Sequence, residues 1–261
     1  MLIGPQTRAL VTGASKGIGL ATARALAARG ATVGMVARGA EELERRAEEL
    51  GGIALEADIA DRDAVEAAVG AFAERAGGLD LLVANAGVLH YAPFPDQPLA
   101  DAEHMVMVNV MGTIYTVKAA LGPMLAAGSG HVVVVSSGAA LRAFPWGAVY
   151  GATKAAERSF AEALRHDLSG TGVSVTTVYP GEVATELHSH QRDRMPDWRS
   201  SEAELRPEEV AEALLEGVEG DRRAVYVPAA VRLLALNGLA PRAVDHLLAR
   251  ARGGSAAPRR D

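Results

Sequence analysis

Residues 8–19 run Arg8-Ala9-Leu10-Val11-Thr12-Gly13-Ala14-Ser15-Lys16-Gly17-Ile18-Gly19, and the fold is decided by how they are read. A short β-prone run stops at a glycine, two more glycines follow at positions 17 and 19, and an alanine- and leucine-rich helical pattern occupies 18–29. A strand that turns sharply into a helix offers backbone N–H groups and the positive end of the helix dipole to an anion. Gly13 permits the turn, Gly17 lets the backbone approach a pyrophosphate, and Gly19 lets the helix pack closely. Gly13, Ser15, Lys16, Gly17, Ile18 and Gly19 are thus candidate contacts for a dinucleotide; the plain alternative is a glycine-rich connection that binds nothing.

Outward from this unit the pattern repeats. ATVGMVA, GIALEAD, LDLLVANAG, HVVVVSS and VSVTTVYPG each read as an apolar strand ending at a turn signal. Amphipathic helical patterns fill 41–50, 61–76, 99–126 and 148–169, and a helix at 207–218 precedes a short strand in AVYVP. Strand-helix alternation implies right-handed crossovers and a parallel sheet. Strands that are almost continuously apolar imply helices on both faces. The predicted fold is a single α/β domain over 1–252, a doubly wound, Rossmann-type parallel sheet with a short C-terminal helical extension. The polar stretch 182–206 reads as a substrate lid, 229–252 as a helical tail and 253–261 as a disordered end.

Composition narrows the function. With 49% hydrophobic residues in 261, the chain can bury one core of ordinary size. A net charge of -6 and a pI near 5.7 argue against a broad grip on nucleic acid or anionic lipid. The absence of cysteine excludes disulfides, a thiolate nucleophile and a Cys-ligated zinc. No basic, then apolar leader opens the chain, so a cytoplasmic protein is expected. The most membrane-like stretch, 224–241, is interrupted by Arg232, Asn237 and two prolines and reads as packed against protein.

In open α/β sheets ligands bind beyond the carboxyl ends of the strands. An acidic residue ending the second strand would hold the ribose 2′-hydroxyl of NAD, but that position reads Val36-Ala37-Arg38. Arg38 can clamp a 2′-phosphate, with Lys16 adding a point charge from the glycine turn, so NADP(H) is the expected cofactor. Without that ligand, Arg38 is a solvated loop arginine in an arginine-rich chain.

The helix at 148–169 opens with Tyr150-Gly151-Ala152-Thr153-Lys154, a four-residue spacing that sets phenol and ammonium on one helix face. A free tyrosine titrates near ~10 and an adjacent ammonium favours the phenolate, so the pair suits general acid–base work. Of 26 basic residues only three are lysines, and Lys16 and Lys154 both fall where a compact charge has a task. Ser136 and Ser137 end the fifth strand on the same sheet edge, where one can hold a substrate oxygen or the pair can cap a turn.

Taken together, these segments resemble the classical short-chain dehydrogenases/reductases over about Thr7 to Thr185. The matching residues are Thr12 to Gly19, Asp58 after the third strand, Asn85-Ala86-Gly87 after the fourth, Asn109 in the long helix, Ser137, Tyr150-x-x-x-Lys154 and Pro180-Gly181-x-Val183-x-Thr185. The resemblance implies an Asn-Ser-Tyr-Lys tetrad: Ser137 polarises the carbonyl, Tyr150 donates the proton during reduction, Lys154 binds the nicotinamide ribose, and Asn109 holds a water that links Lys154 to a proton relay. It further implies that Asp58 and Ile59 contact adenine, that Asn85, Ala86 and Gly87 line the cofactor, and that Pro180, Gly181, Val183 and Thr185 meet its nicotinamide end. Asp58 can equally cap the helix that follows it, and Asn109 can be a helix-bending polar residue.

The resemblance thins toward the C-terminus. Many bacterial ketoacyl reductases of this family end in a strand carrying a Gly-Gly pair, whereas this chain ends AVYVPAAVRLLALNGLAPRAVDHLLARARGG before its final residues. The apolar positions of that tail fit helix faces at a subunit interface or over the substrate cleft; a tail resting on a lipid surface is a further reading. His90, Tyr91, Phe94, Phe144, Trp146 and the lid are the expected pocket walls, which suits a hydrophobic ketone or secondary alcohol. His188 and His190, without an added carboxylate, read as solvated, and no metal is expected. The expected partners are a small-molecule carbonyl or alcohol and further copies of the chain in a homodimer or homotetramer, with no nucleic acid and no membrane. The competing reading is a non-catalytic NADP-binding sensor or scaffold of the same fold.

Overall fold

The computed structural model describes residues 1–185, 205–238 and 241. Its strands are β1 (Arg8–Thr12), β2 (Thr32–Ala37), β3 (Ile53–Glu56), β4 (Leu81–Ala84), β5 (Gly130–Val135), β6 (Val173–Pro180) and β7 (Ala224–Val227). They form one sheet in the order β3-β2-β1-β4-β5-β6-β7, every pairing parallel. The order reverses between β1 and β4, and a crevice opens at such a switch point beyond the strand ends. Both β1 and β4 run out there, at Thr12 and Ala84.

The helices are α1 (Gly17–Ala28), α2 (Ala40–Leu50), α3 (Arg62–Ala76), α4 (Leu99–Met105), α5 (Gly112–Ala127), α6 (Ala148–Asp167) and α7 (Pro207–Glu219). Strand side chains alternate between two buried layers, as a period of two requires. Leu10, Leu82, Val132 and Val134 face α3, α5 and α6, where Phe72, Val117 and Ala161 are buried. Ala9, Val11, Val83 and Val133 face α1, α2 and α7, where Leu26, Leu43 and Leu214 are buried. With helices covering both faces, the strands have no solvent side, which is why their sequences are almost unbroken apolar runs.

Helix ends follow local chemistry. Asp61 caps α3, its carboxylate accepting from the backbone N–H groups of Asp63 and Ala64, and α3 ends at Gly77 with φ 75°. Asp58 is therefore not the cap.

Two stretches differ from the sequence expectation. The pattern over 99–126 reads as one helix, whereas the chain inserts a π-helical segment, Val106–Met111, between α4 and α5. Apolar periodicity registers a continuous helix but not one widened turn, and Asn109 lies inside that turn. The stretch 224–241, expected to pack on protein, supplies β7 and a 3-10 helix over Ala229–Gly238, in which Val231 is buried against Ala140, Leu141 and Tyr179 while Leu233 and Leu236 are exposed. Among the described residues, Leu99–Ala127 is long and apolar enough to cross a membrane, yet it packs on α3 and α6. Of the stretch expected as a lid, 186–204 lies outside the described residues, as do His188, His190, the tail beyond Gly238 apart from Pro241, and the end expected to be disordered.

Candidate active site

β1 delivers Thr12 into the glycine turn. Gly13 and Gly17 have φ of 66° and 54°, the left-handed region in which a side chain is strained. A Cβ at Gly13 would stand 2.9 Å from the Ala86 Cα, and one at Gly17 would stand 3.1 Å from the Thr185 methyl. Lys16 is the N-cap of α1 in extended conformation, so the first helical N–H groups point out of the turn.

Asn85 braces this turn from the neighbouring strand end. Its Nδ2 donates to the Thr12 carbonyl at 2.9 Å, and the Thr12 Oγ1 accepts from the backbone N–H groups of Asn85 and Ala86 at 3.0 and 3.1 Å. The glycine turn and the loop after β4 are thus tied together, with the Asn85 Nδ2 spent on backbone.

A cleft of about 760 Å³ opens over this piece. Its floor is Gly13, Ser15, Lys16, Gly17 and Ile18, one wall is Arg38, Asp58 and Ile59, the other is Asn85, Ala86 and Gly87, and its far end reaches Ser136, Tyr150 and Lys154. His90, His104 and Thr185 are also in the lining. Arg38 and Asp58 are exposed and stand 4.0 Å apart, while Glu42, also in the lining, is held by Arg45 and Arg46.

Not every expected residue lines this space. Gly19 sits beneath the turn, where a Cβ would overlap the Gly13 carbonyl oxygen. Pro180 ends β6, the Gly181 N–H donates to the Val227 carbonyl, and Val183 is buried and bridged to Leu205; of that group Thr185 reaches the cleft. Of the expected walls, Tyr91 is buried in a small core with Phe144 and Tyr150, and Phe94 is exposed.

At the catalytic end, helical spacing puts Tyr150, Lys154 and Glu157 on the buried face of α6. Lys154 Nζ lies 5.9 Å from the Tyr150 ring centre, donates to the Val135 carbonyl at 3.2 Å and pairs with the Glu157 carboxylate at 2.9 Å. Burial works against the ammonium, but Glu157 and Tyr150 outweigh it and hold the Lys154 pKa above the ordinary lysine value. For Glu157 burial dominates and pushes the carboxyl up to about 7 despite the pull of Lys154.

Asn109 is fully buried. Its Oδ1 accepts from the Val88 N–H at 2.8 Å, and its Nδ2 donates to the Val88 carbonyl at 2.9 Å and to Thr153 Oγ1 at 3.0 Å. The π turn is thereby tied both to the loop after β4 and to α6. A Cβ at Gly87 would lie 3.3 Å from Asn109 Oδ1 and 3.4 Å from Lys154 Nζ, so both polar groups face the same glycine backbone. The Ser136 hydroxyl donates to the Lys154 carbonyl at 2.8 Å. Ser137 caps the short turn Gly138–Ala140 by accepting from the Ala139 N–H, which leaves its own proton for a further acceptor.

Glu157 escaped sequence reading. The signal was a carboxylate three residues after Lys154 in the stripe Tyr150, Lys154, Ala161, Leu164 that an amphipathic helix buries.

These residues fit a dinucleotide. Space at the turn exists because three side chains are missing at Gly13, Gly17 and Gly87; backbone N–H groups lie at a helix start, and the cleft runs unbroken from that turn to a buried ammonium.

Known proteins point the same way. The family model for short chain dehydrogenases matches residues 7–196. An uncharacterised oxidoreductase of Listeria monocytogenes is 37% identical over 185 residues, covering 68% of this chain and 75% of that protein. The glycine betaine reductase of Emericella nidulans is 38% identical over 216 residues, 79% of this chain but 17% of that protein's length. Among solved structures, a short chain dehydrogenase/reductase from Burkholderia phymatum in complex with NAD superposes with a TM-score of 0.84 at 26% identity, covering 94% of this chain and 97% of that one. A short chain dehydrogenase from Burkholderia cenocepacia in complex with NADP superposes with a TM-score of 0.77 at 33% identity, covering 86% and 97%. A turn of three glycines at the switch point, a Tyr-Lys pair at the far end of the same cleft and these matches place the chain in the short-chain dehydrogenase/reductase family of oxidoreductases.

Proposed function

We propose that this protein is an NADP(H)-dependent oxidoreductase acting on a carbonyl or secondary alcohol, with Tyr150 as general acid and base. The observation that carries the reading is the shared cleft: Tyr150 and Lys154 line its far end while the glycine turn forms its floor. When bound, the nicotinamide supplies or accepts the hydride; the residues of the chain hold substrate and move the proton. Tyr150 gives a proton to the nascent alkoxide during reduction and takes it back during oxidation. Ser137 uses its free proton to hold the substrate oxygen. Lys154 places a buried positive charge beside the phenol and toward the Gly87 backbone. Asn109 keeps the π turn, Val88 and α6 in register around that charge.

The preference for NADP(H) rests on Arg38 and Lys16 at the cleft, with Glu42 engaged by two arginines and so withdrawn as an acceptor for a ribose diol. Of the two Burkholderia relatives one was solved with NADP and the other with NAD, so the preference rests on these side chains. Exposed Leu99, Val106, Met107 and Leu125 along α4 to α5 support assembly as a homodimer or homotetramer.

The test is Tyr150→Phe, assayed by nicotinamide absorbance over a panel of ketones and secondary alcohols. Turnover is expected to vanish while NADPH binding stays nearly unchanged; persistent turnover on a good substrate sinks the assignment, and a wild-type protein that binds NADPH without turning over any substrate points to a sensor or scaffold.

A further inference from the structure

The cleft accounts for Tyr150 and Lys154 but leaves a buried carboxylate beside them without a task. Glu157 and Lys154 side chains are 2% and 6% exposed, and their 2.9 Å contact is sealed from solvent. A buried ammonium has three N–H groups to satisfy. One meets the Val135 carbonyl, one meets Glu157 Oε1, and the Gly87 side of the nitrogen opens toward the cleft. Glu157 thus fixes which way Lys154 points. Its other oxygen, Oε2, is buried and meets no donor among the described residues, so the carboxylate is held by the lysine alone and has room for a proton.

We propose that Glu157 is a positioning residue for the reaction: it anchors the Lys154 ammonium beneath Tyr150 and sets the net charge of that pair. The proposal rests on the reading of Tyr150 as acid and base. In the ionised state Glu157 neutralises Lys154, and the phenol lies beside an ion pair. In the protonated state the lysine charge is uncompensated and acts on the phenol in full. Burial holds the Glu157 carboxyl near 7, far enough above its ordinary value for both states to be populated at neutral pH.

No other charged side chain comes within ion-pair distance of the two among the described residues. From β5 the neighbours are the Val135 carbonyl and the Ser136 hydroxyl, and from the π turn the neutral Asn109, joined through Thr153. His131, the titratable side chain of β5, is bonded to Thr176. Apart from Tyr150 itself, Glu157 is thus the titratable side chain that faces Lys154 among the described residues.

The experiment is the pH profile of kcat for alcohol oxidation in wild type, Glu157→Gln, Glu157→Leu and Glu157→Asp, with Tyr150→Phe alongside. Wild type is expected to show an ionisation near neutrality that Gln and Leu variants lose and the Asp variant keeps. In the Gln variant, which like protonated Glu157 leaves the lysine charge uncompensated, kcat is expected to stay within about two-fold of the level that wild type reaches on the acid side of its ionisation, at every pH, while KM for the alcohol changes by less than about two-fold. Profiles of wild type and the Gln variant that superimpose overturn the proposal, as does a wild-type profile flat through neutrality. If Tyr150→Phe retains turnover, the parent reading fails; if it is dead while the Glu157 variants behave as wild type, this inference fails alone. Should the variants not fold, infrared difference spectra of wild type across neutral pH decide: the C=O stretch of a buried protonated carboxyl is expected to fade as pH rises, and its absence overturns the assignment.

Discussion

The carbonyl oxygen of Gly13 occupies the place where a Cβ on Gly19 would stand, and the Asn85 amide nitrogen lies 2.6 Å from the same point. α1 can therefore rest against the turn it follows only without a side chain at position 19. Because the obstacle is backbone, it cannot swing aside. Gly19→Ala is expected to cost about 1–3 kcal/mol of stability in urea unfolding and to weaken NADPH binding by at least about ten-fold. A variant with wild-type midpoint and affinity would show that the close packing is not needed.

Arg38 lies on one wall of the cleft with its side chain more than half exposed, 4.0 Å from Asp58. An exposed arginine contributes little to folding. Arg38→Asp is thus expected to keep the melting temperature and to lower the ratio of NADPH to NADH affinity by about ten-fold or more, measured by nucleotide fluorescence. Unchanged affinity for both nucleotides would sink the assignment of Arg38 to the 2′-phosphate.

Asn109, itself buried, ties three segments with three hydrogen bonds. Asn109→Ala removes all three and leaves the partly buried Val88 N–H and carbonyl without their side-chain partner. A loss of about 2–4 kcal/mol in chemical denaturation is expected. Turnover should drop even where the variant is folded, because α6 carries Tyr150 and Lys154 and loses its tie to the π turn at Thr153. Full turnover in a folded variant would contradict the positioning role.

His131 is buried on β5 beside Thr176, 2.8 Å away, and burial lowers its pKa from 6.5 to about 4. The Thr176 hydroxyl donates to the Arg222 carbonyl at 2.6 Å, so the neutral imidazole donates to Thr176 through Nε2. The folded state binds this proton less readily than the unfolded chain. Stability from the neutral ring is intact above 6.5 and falls as pH drops from there toward 4. His131→Gln should resist acid better: between those pH values the difference from wild type is expected to change by roughly 3 kcal/mol in its favour, read from urea midpoints at several pH values. Parallel pH dependences in the two proteins would rule His131 out as an acid-sensitive element.

Much of the architecture was legible because each strand is an apolar run that stops at a turn residue, and each helix between strands carries its own period. A sheet covered on both faces leaves no other use for such runs. The glycine turn, Arg38, Tyr150 and Lys154 could be read for the same reason: their spacing along one strand end or one helix face is already a distance in space. What lay outside reach were relationships across the sheet. The helix pattern over 99–126 hid the π turn, because a single widened turn leaves the apolar stripe intact. Asn85 read as a cofactor-lining residue and does line the cleft, but that its Nδ2 also braces Thr12, seventy-three residues earlier in the chain, could not be read from spacing. Glu157 was not singled out by the sequence, because only the packing of α6 on β5 and the π turn buries it against Lys154.

Local periodicity and turn chemistry by themselves therefore determined the doubly wound sheet, the position of the cleft and the helix face that opens on it. Tertiary packing alone decided which polar groups inside that cleft are spent on backbone and which keep charge or a proton, because burial, and with it the cost of a charge, is set by neighbours that are distant in the chain.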